Sequence, residues 1–204
     1  MKLIHLYADG ACSGNPGQGG YGIILRYIKD ENSDVFEKEF YKGFRYTTNN
    51  RMELLSIIDG LKKLKYPCKV KVFSDSKYVT DAINKHWLIK WQENDWKNSS
   101  GNVKNNDLWE ELLILLDIHK VEFIWVKGHS SNKFNNRCDE LAVQARSNNA
   151  INIDNGYENQ FQKQVTDKCE CGGQYIEQSY ILTSYPSQKE YICNKCGNKK
   201  RIKC

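Results

Sequence analysis

No apolar run in the 204 residues approaches the roughly 20 that a membrane helix needs, so no membrane partner is expected. The start lacks the layout of a signal peptide, because strand-like sequence begins almost at once at Leu3. No internal repeat is visible. A disulfide framework is missing too. Of the eight cysteines, Cys12, Cys68 and Cys138 are scattered, Cys204 is terminal, and only the other four form two close pairs. That usage fits a reducing compartment, hence a cytoplasmic protein, with one metal site. The composition of a disordered chain is absent: 12% of residues are aromatic, five of them Trp.

The length present suits one domain, or one domain with a small appendage. Net charge is +5, unevenly spread: from Phe161 onward eight Lys and Arg face four acids. A basic end suits a polyanion partner or simply a solvated surface.

Leu3–Gly17 (LIHLYADGACSGNPG) organises the rest. Alternating apolar residues predict a strand running into Asp9, and turn residues follow at once. Gly20–Tyr27 and Val35–Tyr41 are expected as further strands around a polar turn at Lys29–Asp34, giving an antiparallel meander. Thr48 or Asn49 then caps a long helix with Met52, Leu55, Ile58, Leu61 and Leu64 on one face. Glu53 is expected in its first turn, where an acid also suits the helix dipole. Val70–Phe73 is a short strand, and Asp75 stands between it and a helix over 77–85, where it has the place of an N-cap.

In residues 86–106, Trp87, Trp91 and Trp96 are interleaved with Lys85, Lys90, Lys97 and Lys104. Such a pattern fits a nucleic-acid groove or plain packing. A helix over 108–116, a strand over 121–126, a flexible loop at 128–132 and a final helix over 135–147 carrying Asp139 near its start complete the pattern. The Asn/Gln-rich stretch 148–168 is expected as a linker, or a tail lying on the domain. The order βββαβα…αβα places Asp9, Glu53, Asp75 and Asp139 at element ends, which in a mixed sheet with helices on its faces can converge on one edge. Four such carboxylates cannot all stay ionised without cations, and two divalent ions would balance them.

The stretches YADGACSGNPGQGGYGIIL, TTNNRMELLSIIDGL, VFSDSKYV, DLWEELL and IWVKGHSSNKFNNRCDELA strongly resemble the ribonuclease H type 1 family over about residues 1–148. The resemblance implies an α/β, ribonuclease H-like fold, a five-stranded mixed sheet with its second strand antiparallel to the others and helices on both faces. It implies endonucleolytic cleavage of the RNA strand of RNA–DNA hybrids, leaving 5′-phosphate and 3′-hydroxyl ends, with two Mg²⁺ or Mn²⁺ ions. By the same resemblance Asp9, Glu53, Asp75 and Asp139 hold the metals and His129 assists proton transfer or product release. Asn15, Asn49 and Asn50 match minor-groove contacts; short amides both donate and accept, as a test for a 2′-OH requires. Lys77 replaces a frequent Gln, Asn136 stands where an acid is common, and Gln92-Glu93-Asn94-Asp95 dilutes a segment that usually is basic. The Trp-rich segment resembles the protrusion that grips the DNA strand. Other enzymes on this fold, such as a DNA-cutting integrase or resolvase, and a non-catalytic hybrid-binding module remain alternatives.

Cys169 and Cys171 face Cys193 and Cys196 across about twenty strand-like residues with a turn at Pro186, and a Gly follows each pair. The pattern resembles a zinc ribbon with a four-thiolate site; a disulfide and unligated thiols are the alternatives. The expected division is a catalytic domain over 1–150, a linker or tail over 151–167 and the ribbon over 168–204. Lys199-Lys200-Arg201 and Lys203, with Tyr175, Tyr180, Tyr185 and Tyr191, offer a second nucleic-acid surface, which would supply grip that the Trp-rich segment lacks. A stabilising cap or a protein-docking module is the other reading, and a monomer is expected.

Overall fold

Apolar alternation does build a strand from Leu3, but the strand does not stop at Asp9. In the computed structural model β1 runs over Leu3–Gly14, with Asp9 inside it. The antiparallel strand β2 (Gly17–Ile28) pairs along its length, from Ile4↔Tyr27 to Gly14↔Gly17. That partner satisfies the backbone of residues whose composition predicts a turn. The parallel neighbour β4 (Lys69–Ser74) pairs only from Leu3↔Lys69 to Tyr7↔Phe73. Asp9 therefore lies just beyond the end of β4's pairing, mid-strand yet at an opening in the sheet.

Residues 1–28, 35–148, 150–162, 168–181 and 188–203 are described. The expected turns at Lys29–Asp34 and Pro186, and Cys204, lie outside them. The chain divides into two units, Met1–Asp154 and Asn155–Cys204.

In the first unit β3 (Val35–Thr47) precedes α1 (Asn49–Lys62) and β4. Then come α2 (Lys77–Asn84), α3 (Trp87–Glu93) and the two-residue strands β5 (Lys97–Asn98) and β6 (Gly101–Asn102). Next are α4 (Asn106–Ile118), β7 (Lys120–Trp125) and α5 (Lys133–Asn148). The sheet order is β3-β2-β1-β4-β7, with β2 antiparallel to both neighbours and β1, β4 and β7 parallel. This is the five-stranded mixed sheet expected. One face buries Leu6, Ile23 and Val72 against Met52, Ile57, Leu61 and Trp109 of α1 and α4. The other packs Tyr7 and Ile24 against Cys138 and Leu141 of α5. Each large side chain so buried contributes about 1.5–3 kcal/mol relative to exposure.

After α5 the chain returns to the sheet edge: Asn152 donates its N–H to Gly43 O at 3.1 Å and accepts that of Arg45 at 3.0 Å. Two residues on, Asp154 accepts from Arg51 Nε at 2.7 Å and from Thr47 Oγ1 at 2.6 Å. Arg51 also reaches Asp107 of α4 at 2.7 Å and is 1% exposed. The first unit thus continues four residues past the expected boundary at 150.

The second unit opens with a helix, α6 (Asn155–Gln162), inside the stretch expected as a linker. Glu158 in its first turn suits the helix dipole. Three antiparallel strands follow, β8 (Tyr175–Ile181), β9 (Gln188–Cys193) and β10 (Lys199–Lys203), in the order β10-β9-β8. The basic run expected as surface is itself a strand, and Lys199 and Arg201 both reach Glu190 of β9 at 3.1 Å. Among the described residues no helix is long and apolar enough to cross a membrane.

Candidate active site

Two missing side chains decide where the acids meet. A Cβ on Gly10 would lie 2.5 Å from the Glu53 nitrogen, so α1 rests on bare backbone of β1. On the opposite face, Gly22 is the cross-strand partner of Asp9. A Cβ there would lie 2.2 Å from Cys138 O, so α5 rests on the backbone of β2. Glu53 of α1 and Asp139, the residue after Cys138, are thereby brought to Asp9.

Asp75 follows the last residue of β4, and it is not the helix cap that its position allows. Ser76 is the N-cap of α2, its Oγ accepting from Val79 N at 3.3 Å. One Asp75 oxygen instead accepts from Asn135 Nδ2 of α5 at 3.2 Å. Glu53 also departs from its expected place. Helix α1 starts at Asn49 with Thr48 as N-cap and holds no acid in its first turn, so the dipole reading of Glu53 fails. Its carboxylate turns inward, where Asn49 Nδ2 donates to one oxygen at 3.0 Å and Ser76 Oγ to the other at 2.6 Å.

The cluster is electrostatically costly. The Asp9 carboxyl is pushed up to about 8, by burial first and then by Asp75, Asp139 and Glu53, against the N–H of Gly10 at 2.7 Å. Glu53 rises to about 7 through burial and Asp75, against the Ser76 hydroxyl. Among the described residues no lysine or arginine pairs with any of the four acids. Such a donor set, oxygen-only and short of positive charge, fits hard divalent cations.

The other expected residues divide. His129 sits in a left-handed backbone position (φ 49°), its side chain 85% exposed and Nδ1 3.9 Å from Asp139 Oδ2. Asn15 Oδ1 accepts from Asn49 N at 3.1 Å, tying the β1–β2 turn to the start of α1. Asn50 and Lys77 are exposed, and Lys77 Nζ lies 5.2 Å from the Trp125 ring centroid. Trp91 and Trp96 pack against the core, Trp91 edge-on to Trp109 at 5.6 Å. Trp87 is exposed beneath Lys85. The sequence reading missed Ser76 and Asn135. The signals were present: a serine directly after an acid at a helix start, and an asparagine one turn before Asp139 on the same helix face.

A model of the RNase H family matches residues 1–147. The chain belongs to the ribonuclease H family. It is 49% identical over 159 residues to the ribonuclease H of Rippkaea orientalis, covering 78% of this chain and 94% of the relative. To that of Caldicellulosiruptor saccharolyticus it is 54% identical over 144 residues, covering 70% and 94%. Among solved structures it is similar to LC9-RNase H1, a type 1 RNase H with the type 2 active-site motif. There the TM-score is 0.65 at 31% identity, covering 78% of this chain and 80% of that one. Use of divalent metal is a property of this ribonuclease H family, and the acids at β1, α1, β4 and α5 are the groups here that suit it.

The second unit holds a separate candidate metal centre. The sulfurs of Cys169, Cys171, Cys193 and Cys196 all lie within 4.8 Å of one another. Each pair sits in a tight turn: Gly172 N donates to Cys169 O at 2.7 Å and Gly197 N to Cys193 O at 3.0 Å, with both glycines left-handed. Backbone N–H groups of Cys196 and Lys195 aim at the Cys193 thiol and hold it down at about 6. Four thiols gathered this closely are compatible with zinc. The expected outcome of elemental analysis is one zinc per chain. A thiol-reactive reagent should release that zinc while protection of second-unit amides from hydrogen exchange collapses. Metal-free protein with unchanged protection would exclude a structural site.

Proposed function

We propose that the chain hydrolyses the RNA strand of RNA–DNA hybrids endonucleolytically, leaving 5′-phosphate and 3′-hydroxyl ends. The supporting observation is the meeting of Asp9, Glu53, Asp75 and Asp139 with no lysine or arginine partner among the described residues and only His129 near Asp139. Two Mg²⁺ or Mn²⁺ ions, when bound there, would supply the charge that activates water and stabilises the leaving 3′ oxygen. The chain's own work is to hold four carboxylates on main-chain supports. Asp9 would contribute to both cation sites, with Glu53 and Asp75 completing one and Asp139 the other. His129, exposed beside Asp139, carries protons or helps product leave.

Asn15, Asn49 and Asn50 lie around the β1–β2 turn and the start of α1, where amides can test for a 2′-OH in a wide minor groove. Lys77 and the exposed Trp87 supply contacts to the backbone and to the DNA strand. Trp91 and Trp96 act by packing, which fixes α3. Zinc in the four-thiolate site would make the second unit a ribbon. Its nucleic-acid contact would come from Lys200 and Tyr175 more than from Lys199 and Arg201, which Glu190 engages; Tyr191 is buried, and Tyr185 lies outside the described residues. The catalytic domain is read as 1–150 extended to Asp154. The cysteine usage supports a cytoplasmic protein, and a monomer is proposed.

The test is cleavage of a labelled hybrid in Mg²⁺ and in Mn²⁺ beside single-strand and duplex controls. Hybrid-only cleavage is expected. Removing residues 155–204 should raise KM on long hybrids more than it lowers kcat. Cleavage of plain DNA duplex would move the reading to another enzyme on this fold. Hybrid binding without cleavage in either metal would make the chain a binding module.

A further inference from the structure

We infer that Ser76 is a positioning residue: its hydroxyl fixes the Glu53 carboxylate and so sets the affinity of the divalent-cation site. The inference rests on the function proposed above and deepens it. Ser76 is 5% exposed and anchored on several sides. Its N–H donates to Ser74 Oγ at 3.2 Å, and its carbonyl accepts from Thr80 Oγ1 at 2.8 Å. Its own Oγ has two tasks. It accepts from Val79 N at 3.3 Å, capping α2, and it donates to Glu53 Oε2 at 2.6 Å.

A hydroxyl has one proton. With a lone pair taken by the first turn of α2, that proton has one direction to go, which is Glu53. Asn49 Nδ2 holds the other oxygen. The carboxylate is thus braced at both oxygens by neutral donors, one from its own helix and one from the β4–α2 junction. That junction also carries Asp75, so a single short turn delivers one acid and orients another. A glutamate has a long, flexible side chain whose ordering costs entropy, and a brace already in place removes part of that cost before any cation arrives. Neutral donors suit this task, because a lysine or arginine there would compete with the metal. Loss of such outer partners typically weakens metal binding or activity about 10–100-fold.

Ser76 also has a purely structural task, so the test separates the two. Mn²⁺ binding to the full chain without substrate is measured by calorimetry, with thermal unfolding alongside, for Ser76→Ala, Ser76→Thr, Glu53→Gln and Glu53→Gln/Ser76→Ala. Ser76→Ala should weaken Mn²⁺ binding about 10–100-fold and lower Tm, and Ser76→Thr should restore both. In the Glu53→Gln background, Ser76→Ala should still lower Tm, since the cap is lost, yet leave Mn²⁺ binding where Glu53→Gln put it. Wild-type Mn²⁺ affinity in Ser76→Ala would overturn the inference, as would an equal further loss in the Glu53→Gln background. Wild-type protein that binds no Mn²⁺ would overturn it as well. Hybrid cleavage by the wild type is scored separately, so failure of the functional reading and failure of the Ser76 assignment give different patterns.

Discussion

Asp9→Asn abolishes hybrid cleavage and makes the metal-free protein more stable. The loss should reach about a thousandfold or more, the scale of several kcal/mol that a bound cation contributes to the transition state. Asp9 is the acid on which the other three act. The stability gain follows from linkage. The Asp9 carboxyl titrates near 8 when folded, against an ordinary value of 3.8. Between those two pH values the folded protein keeps a proton that the unfolded chain has released. Stability therefore falls as pH rises through that window, by a total on the order of several kcal/mol. Glu53 adds to the fall between 4.5 and about 7. Asn has no charge to bury, so Asp9→Asn removes most of the slope. All five tryptophans lie in the first unit, so their fluorescence follows its unfolding alone. Urea titrations at pH 5 and pH 8, with and without Mn²⁺, are the measurement. Wild type should gain from Mn²⁺ at pH 8; Asp9→Asn should gain less and keep only the smaller fall with pH that Glu53 contributes. A wild type equally stable at both pH values without metal would contradict the electrostatic account.

Arg51→Ala costs the first unit about 3–5 kcal/mol. Arg51 is buried between Asp154 and Asp107, and the Asp154 side chain is only 3% exposed. Truncating the arginine leaves that carboxylate buried with Thr47 Oγ1 and no cation from Arg51. Adding Asp154→Asn to Arg51→Ala should recover part of the loss, because the buried charge that Arg51 had paired goes with it. A loss under about 1 kcal/mol in the single variant would mean that water reaches the site and screens it. The same logic bears on chain length. The family match ends at residue 147, and a chain cut there would lose Asp154 and leave Arg51 half-paired. Its stability should fall toward that of Arg51→Ala.

The mixed sheet with its antiparallel second strand and the meeting of the four acids were legible because each rests on a local pattern or on a long motif. What sequence misplaced were the ends. Residues Gly10–Gly14 have turn composition, but strand partners 3 to 11 residues further on override it. Glu53 seemed a first-turn acid, but counted from the Thr48 cap it is the fifth helical residue, just past the first turn. Asp75 seemed a cap because nothing local shows that Ser76 takes that role. Trp91 and Trp96 were ambiguous for a different reason. A tryptophan at helical spacing has the same local signature over a core or under a nucleic acid, and only the position of Trp109 decides. That Glu190, nine residues before Lys199, engages the basic run of the second unit is invisible until β9 and β10 pair.

Gly10 and Gly22 have a consequence for how such a site ages. Helices α1 and α5 meet the sheet there with main chain on main chain. A gap set in that way has no side chain to lengthen or trim. Neighbouring apolar residues can be exchanged over many generations, and the acids on the two helices keep their separations. The tolerance is lopsided, however. Any residue larger than glycine at either position acts like a shim under a whole helix, moving its acid as one piece with the turn that carries it. Sequence drift should therefore be broad across the core and close to nil at these two positions, neither of which supplies a side chain to the chemistry.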